Sequence, residues 1–220
     1  MGVGCNLDPH MALRYCASSH NSEAKLDVIL LARGNPGKLL ELRALLSPFN
    51  LTDPQTLGVE LQIDETGETY VDNALIKAVQ YAQATGHWTL ADDSGLEVDA
   101  LDGAPGLHSS RLLGPGRSDA ERRAKLLELL QPHSPPWIAR FRCWVALVGP
   151  DGQQFTAEGI CPGKIISTER GDSGFGYDPI FLIDSMRKTM AELSMAEKNE
   201  ISHRARAVKA LLPKVQHLFS

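Results

Sequence analysis

Three stretches of this sequence crowd carboxylates, lysines and glycines closely enough to act on an anion or a cation. Ala32-Arg33-Gly34-Asn35-Pro36-Gly37-Lys38 leads from an apolar run into a helical pattern. Backbone N–H groups and the dipole at a helix start favour an anion, and Lys38 adds a positive charge. The spacing is not that of a P-loop, and the same residues also describe an ordinary strand-to-helix turn. Asp64 to Ala74 contains Asp64, Glu65, Glu68 and Asp72, which suits a cation site or an acidic helix start. Ala91-Asp92-Asp93-Ser94-Gly95 puts two aspartates at the end of a short apolar run. That reads as a D-S-G turn, or as carboxylates lining a cleft beside a sheet. Brought to ~4 Å, Asp93 and Glu65 would repel by roughly 4 kcal/mol at an effective dielectric of about 20. Such a pair wants a cation, and an all-oxygen ligand set points to Mg2+ or Mn2+ rather than zinc.

Three more stretches suit a flat ligand. In Ser173-Gly-Phe-Gly-Tyr-Asp-Pro179, glycines flank Phe175 and let backbone come close to a ring. Phe175 or Tyr177 then stacks on a base, or both pack inside a tight loop. Glu197 to Arg204 gathers Lys198, His203 and Arg204 at the expected start of the last helix. Positive charge is disfavoured there, so an acidic partner or an acceptor-rich ligand is expected nearby. Gly103-Ala-Pro-Gly-Leu-His-Ser-Ser-Arg111 is a Gly/Pro turn that borders a ligand or simply reverses the chain.

The elements that must position these groups are partly legible. Asp27 to Ala32 has the length and apolarity of a buried strand. Asn35 is a good N-cap and Pro36 suits the first helical position. Leu39, Leu42, Leu45 and Leu46 then recur at helical spacing up to Pro48. A second helix, capped at Asp72 or Asn73, presents Ala74, Leu75, Ala78, Val79 and Ala82 and stops at Gly86. Trp88 to Ala91 reads as one short strand, and Leu96 to Ala100 as a second, half-buried one. Ser118 and Glu121 form a capping box before Leu126, Leu127 and Leu130. Trp137 to Val148 is a long strand, with Gln153 to Ile160 as its hairpin partner across Gly149-Pro-Asp-Gly152. Ile201, Ala205, Val208 and Leu212 mark the last helix. The mixture implies an α/β fold with a mixed sheet.

Composition narrows the function. The 220 residues are 43% hydrophobic and 22% charged, which suits a globular chain that needs no disulfide or structural metal to fold. A net charge of −5 lacks the footprint of a nucleic-acid binder and gives no attraction to anionic membranes. No apolar run approaches the ~20 residues of a membrane span. Cys5, Cys16, Cys143 and Cys161 form no C-x-x-C pair, so a reducing compartment is expected. Residues 1–25 are polar and irregular, without the apolar core of a secretory signal, and read as a loose extension.

Taken together, basic groups and amides for phosphates, carboxylates for a metal and an aromatic loop for a base make a nucleoside triphosphate site. The ordered segments R-G-N-P-G-K, E-T-G-E-T-Y-V-D-N-A, A-D-D-S-G-L-E-V-D-A-L, G-A-P-G, S-G-F-G-Y-D-P-I-F and E-K-N-E-I-S-H-R resemble the inosine triphosphate pyrophosphatase family, from about Asp27 to Val215. The resemblance implies an elongated two-lobed α/β fold with a central mixed twisted sheet and a long cleft between the lobes. Residues 26–220 would form that domain, most often as a cytoplasmic homodimer. It implies Mg2+-dependent hydrolysis of ITP, dITP and XTP to the monophosphate and pyrophosphate. Carried over by motif, Asp93 matches the catalytic carboxylate and metal ligand, Glu65 a second metal-binding acid, and Lys38 and Lys77 the phosphate-binding lysines. Arg33, Gly34, Asn35, Pro36, Gly37, Lys38 and Ser94 match substrate contacts. Phe175, Gly176, Tyr177, Asp178, Lys198, His203 and Arg204 match the base-recognition set, with Lys198, His203 and Arg204 as donors to the 6-oxo group. The chain departs from the pattern at Arg33, where the family has Ser or Thr, at His108, where it has an aromatic, and at Asp72, where it has Glu. A related pyrophosphatase for modified or pyrimidine nucleotides, and a nucleotide-binding regulator without turnover, are the alternatives at this level.

Overall fold

A computed structural model describes residues 28–32, 35–47 and 49–218. The 1–25 extension, Cys5, Cys16, Arg33, Gly34 and Pro48 lie outside the described residues. Among the described residues seven strands form one mixed sheet: β1 (Ile29–Leu31), β2 (Leu51–Thr52), β3 (Trp88–Val98), β4 (Trp137–Val148), β5 (Gln154–Ile165), β6 (Phe181–Ile183) and β7 (Lys188–Thr189). Their spatial order is β2-β1-β3-β4-β5-β6-β7. The β1 strand is parallel to both neighbours, and the remaining pairs are antiparallel. The helices are α1 (Pro36–Leu45), α2 (Tyr70–Thr85), α3 (Asp119–Leu130), α4 (Met195–Ile201) and α5 (His203–Val215). The α/β mixed-sheet expectation therefore holds.

Several elements differ from the sequence reading. Trp88 to Val98 is one strand running straight through Asp92-Asp93-Ser94-Gly95, with no turn there. Trp88 to Asp93 is buried throughout, while from Leu96 burial alternates as expected, Leu96 and Val98 inward and Glu97 and Asp99 outward, with a 3₁₀ turn replacing the strand from Asp99. The strand's polar residues are tolerated because tertiary partners satisfy them, which local propensity cannot show. The second helix is capped one turn earlier than expected, by Thr69. Thr69 Oγ1 accepts from the Asp72 N–H and the Asp72 carboxylate accepts from the Thr69 N–H. Asp72 thus does the work of the usual Glu at this capping-box position. Gly86 ends the helix in the left-handed region, φ 69°. The last helical pattern is two helices broken at Ser202, so Lys198 lies in α4 while His203 and Arg204 open α5. Strand β5 also runs five residues further than expected, to Ile165.

Two apolar clusters occupy opposite ends of the long strands. One joins Leu31, Leu42, Leu90, Cys143, Val145, Val208 and Leu211; the other joins Leu96, Val98, Leu126, Phe141, Ile180, Phe181 and Met190. Each fully buried aliphatic side chain contributes about 1.5–3 kcal/mol. Cys143 is the buried hydrophobe expected of it, and burial pushes its thiol up to about 12. The polar stretch Asp92 to Gly95 lies in sequence between the two sets of β3 residues. Helix α2 covers the opposite face, against Ala91, Ala146 and Val148.

Candidate active site

Strand β3 outruns its parallel neighbour. β1 pairs with it only along Trp88 to Leu90, and Ala32 N–H closes the pairing on the Leu90 carbonyl at 2.9 Å. Beyond that point Ala91 to Leu96 line a cleft of about 1070 Å3, open mouth included. Unpaired strand edge at the end of a parallel pair is where α/β sheets hold ligands. The far end of this edge is sealed by the 3₁₀ segment Gly106–Arg111, where Ser109 Oγ accepts from the Leu96 N–H at 2.8 Å. The approach is so close that a Cβ on Gly95 would lie 2.2 Å from the Gly106 carbonyl oxygen. A glycine is required there by space.

Strand alternation sends the two aspartates to opposite faces. Asp93, paired across the sheet with Trp144, faces α2. Lys77 Nζ lies 3.5 Å from Asp93 Oδ1, 2.9 Å from Glu65 Oε1 and 2.6 Å from the Asp92 carbonyl oxygen. Asn73 accepts from the Gly67 N–H at 2.8 Å and lies 3.4 Å from Asp93 Oδ2. Arg111 stands 3.4 Å from the other Glu65 oxygen. The cation between Glu65 and Asp93 is therefore the Lys77 ammonium. Burial raises the Asp93 carboxyl, helped by Glu65 and Asp92, and Lys77 and Lys38 only partly oppose this. Burial also works against charge on Glu65 and on Lys77. Lys77, Lys38 and Arg111 nevertheless hold Glu65 low, and Asp93, Asp92 and Glu65 hold Lys77 high.

Asp92 faces the other way, towards α1 and α5. Its Oδ2 accepts from Arg204 Nε and Nη2 at 3.2 and 3.1 Å and sits 3.3 Å from Lys38 Nζ. Burial would raise this carboxyl, but Lys38, Arg204 and Lys77 outweigh it and hold it well below the usual range. Arg204 is 0% exposed. It also donates to Glu41 and, at 3.1 Å, to Ser94 Oγ. Glu41 is shared with Lys198, whose Nζ lies 2.6 Å from both Glu41 and Asp178. The acidic partner expected near these cations is thus present three times over, as Asp92, Glu41 and Asp178. By donor count Lys198 keeps one N–H beyond its two carboxylates.

The aromatic groups divide. Tyr177 is 4% exposed and its hydroxyl donates to the Ser109 carbonyl at 2.9 Å, so it belongs to the core. Phe175 is the ring left for stacking. A Cβ on Gly37 would lie 2.4 Å from it, and Lys198 Nζ and the Arg204 guanidinium lie 5.1 and 5.9 Å from its centroid. His203 stacks on Phe141 with centroids 4.8 Å apart, and its buried Nδ1 has no hydrogen-bond partner among the described residues. Burial first, then the charges of Arg204 and Lys198, keep this imidazole neutral.

The cleft therefore collects Asn35, Lys38, Glu65, Lys77, Asp93, Ser94, Phe175 to Asp178, Lys198, His203 and Arg204. Pro36 and Gly37 open α1 beside it, with Asn35 Oδ1 accepting from the Gly37 N–H at 2.8 Å. Sequence alone points to no site role for Glu41, Asp119 and Arg122, and offers Asn73 only as a helix cap. Only its place between two buried cations marks Glu41. Among the described residues no group of three or more His, Cys, Asp or Glu side chains is placed to hold a metal ion. Glu65 and Asp93 offer oxygen donors alone. That suits Mg2+, which takes one or two carboxylates and completes its shell with water and phosphate oxygens.

The sequence model of the Ham1 family matches residues 29–214. A dITP/XTP pyrophosphatase of Synechocystis sp. is 47% identical over 190 residues, 85% of this chain and 94% of that protein. A dITP/XTP pyrophosphatase of Desulforamulus reducens is 44% identical over 197 residues, 87% and 96% of the two chains. Among solved structures, a HAM1 protein from Coxiella burnetii superposes with a TM-score of 0.78 at 41% identity, covering 86% of this chain and 98% of that one. The Staphylococcus aureus Ham1 protein gives 0.77 at 36% identity over the same shares.

Proposed function

Since the chain belongs to the Ham1 family, we propose that it hydrolyses non-canonical purine nucleoside triphosphates, ITP, dITP and XTP, to the monophosphate and pyrophosphate. The observation that carries this is one continuous cleft with two chemistries, joined along β3. Asp93, Lys77 and Glu65 sit at one end, Phe175, Lys198, His203 and Arg204 at the other, and Asp92 and Ser94 connect them. A triphosphate fits the first end and an uncharged base the second. The dITP/XTP names of the relatives support the substrate class.

In the mechanism, Asp93 takes a proton from a water aimed at the α-phosphorus. Burial raises this carboxyl, which makes it a stronger base for taking that proton than an ordinary carboxylate. The water oxygen bonds to the α-phosphorus as the bond to the bridging oxygen of pyrophosphate breaks. Lys77 and Lys38 donate to the oxygens on which charge grows. Glu65 and Asp93 would hold Mg2+, which supplies charge neutralisation of the triphosphate and polarisation of a phosphoryl oxygen. At the other end, Phe175 stacks on the base. Lys198, His203 and Arg204 face its 6-position, where a carbonyl accepts and the adenine amino group leaves donor against donor, at about 1–3 kcal/mol per unpaired group.

Residues 26–220 form a single pyrophosphatase domain of two lobes, a reading supported by the two apolar clusters at opposite ends of the long strands. The protein acts in the cytoplasm as a homodimer, without nucleic acid or membrane partners. No helix among the described residues is long and apolar enough to cross a membrane. The reaction is tested by product identity. ITP incubated with Mg2+ is expected to give IMP and pyrophosphate one to one, and nothing with EDTA. IDP and orthophosphate, or full turnover in EDTA, would contradict it.

A further inference from the structure

The loop carrying Phe175 has little reason to hold one shape by itself. Gly171, Gly174 and Gly176 all take positive φ, at 82°, 78° and 61°. A Cβ on Gly176 would meet nothing within 4 Å, so glycine is needed there for backbone conformation alone. Such peptides flip cheaply and pay the most entropy to be fixed. Yet this one is held from both sides by a single helix. Asp119 Oδ2 on α3 accepts from the Gly176 N–H at 2.7 Å, and Arg123 Nη1, one turn on, donates to the Gly176 carbonyl at 2.9 Å.

Both holders are themselves fixed. Arg122 takes the other Asp119 oxygen. Arg123 forks onto Glu169 through Nε and Nη2 at 2.8 and 2.9 Å. The peptide so pinned lies between Phe175, which abuts Gly37, and Tyr177, which is locked to Ser109. Asp178, two residues on, closes the loop by accepting from the Phe175 N–H at 2.9 Å and pairs with Lys198. A flip at Gly176 would move the stacking ring and the carboxylate that sets the Lys198 ammonium. Neither Asp119 nor Arg123 is part of the phosphate end.

We infer that Asp119 and Arg123 are specificity-positioning residues: by clamping the Gly176 peptide they hold Phe175 and Asp178 in the arrangement that separates a 6-oxopurine from adenine. The inference rests on the base end being read as proposed above. Asp119→Ala and Arg123→Met are compared with wild type in two assays, pyrophosphate release from ITP and ATP, and calorimetric titration of IMP and AMP. Both variants are expected to raise KM for ITP and to narrow the ITP-to-ATP ratio in kcat/KM by about tenfold, the scale of a lost positioning hydrogen bond to a charged group. The IMP-to-AMP affinity ratio should narrow with it. Asp119→Asn keeps an acceptor for the Gly176 N–H and should restore most of the loss. Where Asp119→Ala or Arg123→Met fails to fold, Arg123→Lys, which keeps the charge without the fork, is expected to narrow both ratios by about threefold. Folded variants with wild-type ratios in both assays overturn the inference. A wild type that prefers IMP but releases no pyrophosphate from ITP overturns the proposed reaction, and the calorimetric ratios still decide the clamp. A wild type that binds IMP and AMP alike overturns both.

Discussion

The two ends of the cleft use the same residue types in opposite ways. At the phosphate end the charges are incompletely spent: the Glu65 side chain is 29% exposed, and Lys77 lies 3.5 Å from Asp93, a loose contact. At the base end Arg204, Lys198, Glu41, Asp92 and Asp178 are all buried and interlocked. A site for a polyanion and a metal ion must leave charge available, so it keeps its ion pairs open to replacement. A site for an uncharged base must present donors without presenting net charge, so each cation arrives with carboxylates attached. The difference separates turnover from stability, because breaking a buried pair strands the remaining charge.

The largest effect expected is on turnover at the open end. Asp93→Asn should lower kcat with ITP by about 10²–10⁴ and leave thermal stability near wild type. A kcat within a few-fold of wild type would remove Asp93 from its role. At the closed end the cost falls on folding. Arg204→Met leaves Asp92 with only the part-exposed Lys38 and Glu41 with only Lys198, and should destabilise by about 3–5 kcal/mol. Lys77→Met, whose closer carboxylate partner Glu65 reaches solvent and whose contact with buried Asp93 is long, should cost clearly less in the same melts. Equal losses for the two would erase the contrast.

A smaller effect concerns base choice. Lys198→Met removes one donor and should narrow ITP-to-ATP discrimination by about tenfold, as one group left unpaired would, seen in kcat/KM on the two substrates. The smallest is a pH effect on stability. His203 is held neutral when folded, whereas in the unfolded chain it titrates near 6.5. Above about pH 6.5 both states are neutral and the group contributes no slope. Below that only the unfolded chain takes the proton, so stability falls as pH falls, by up to about 1.4 kcal/mol per pH unit. His203→Phe keeps the stack on Phe141 and should flatten that part of the curve between pH 6.5 and 5. Parallel curves for the two proteins would show that His203 is not the group responsible.

Much of the site was legible because its motifs are local. Asn35 caps α1 as its type requires, and Ser118 and Glu121 form their box. The carboxylates near residues 65 and 93 meet on one ammonium. What stayed hidden depends on partners far along the chain. Asp92 and Asp93 allow a turn as well as a cleft-lining strand end, because nothing local satisfies two aspartates in a strand; Arg204 and Lys77 do so from α5 and α2. Glu41 is an unremarkable acid in a helix until Lys198 and Arg204 arrive on either side of it. The break at Ser202 went unseen because helical periodicity continues across it, and only the extended backbone at ψ 156° separates α4 from α5.

The most direct test of the whole account is pyrophosphate release by the wild-type protein across ITP, dITP, XTP, GTP and ATP under one Mg2+ condition. ITP, dITP and XTP are expected to exceed ATP by at least about a hundredfold in kcat/KM, as two or more donors left facing the adenine amino group would require. Equal rates on all five would contradict it.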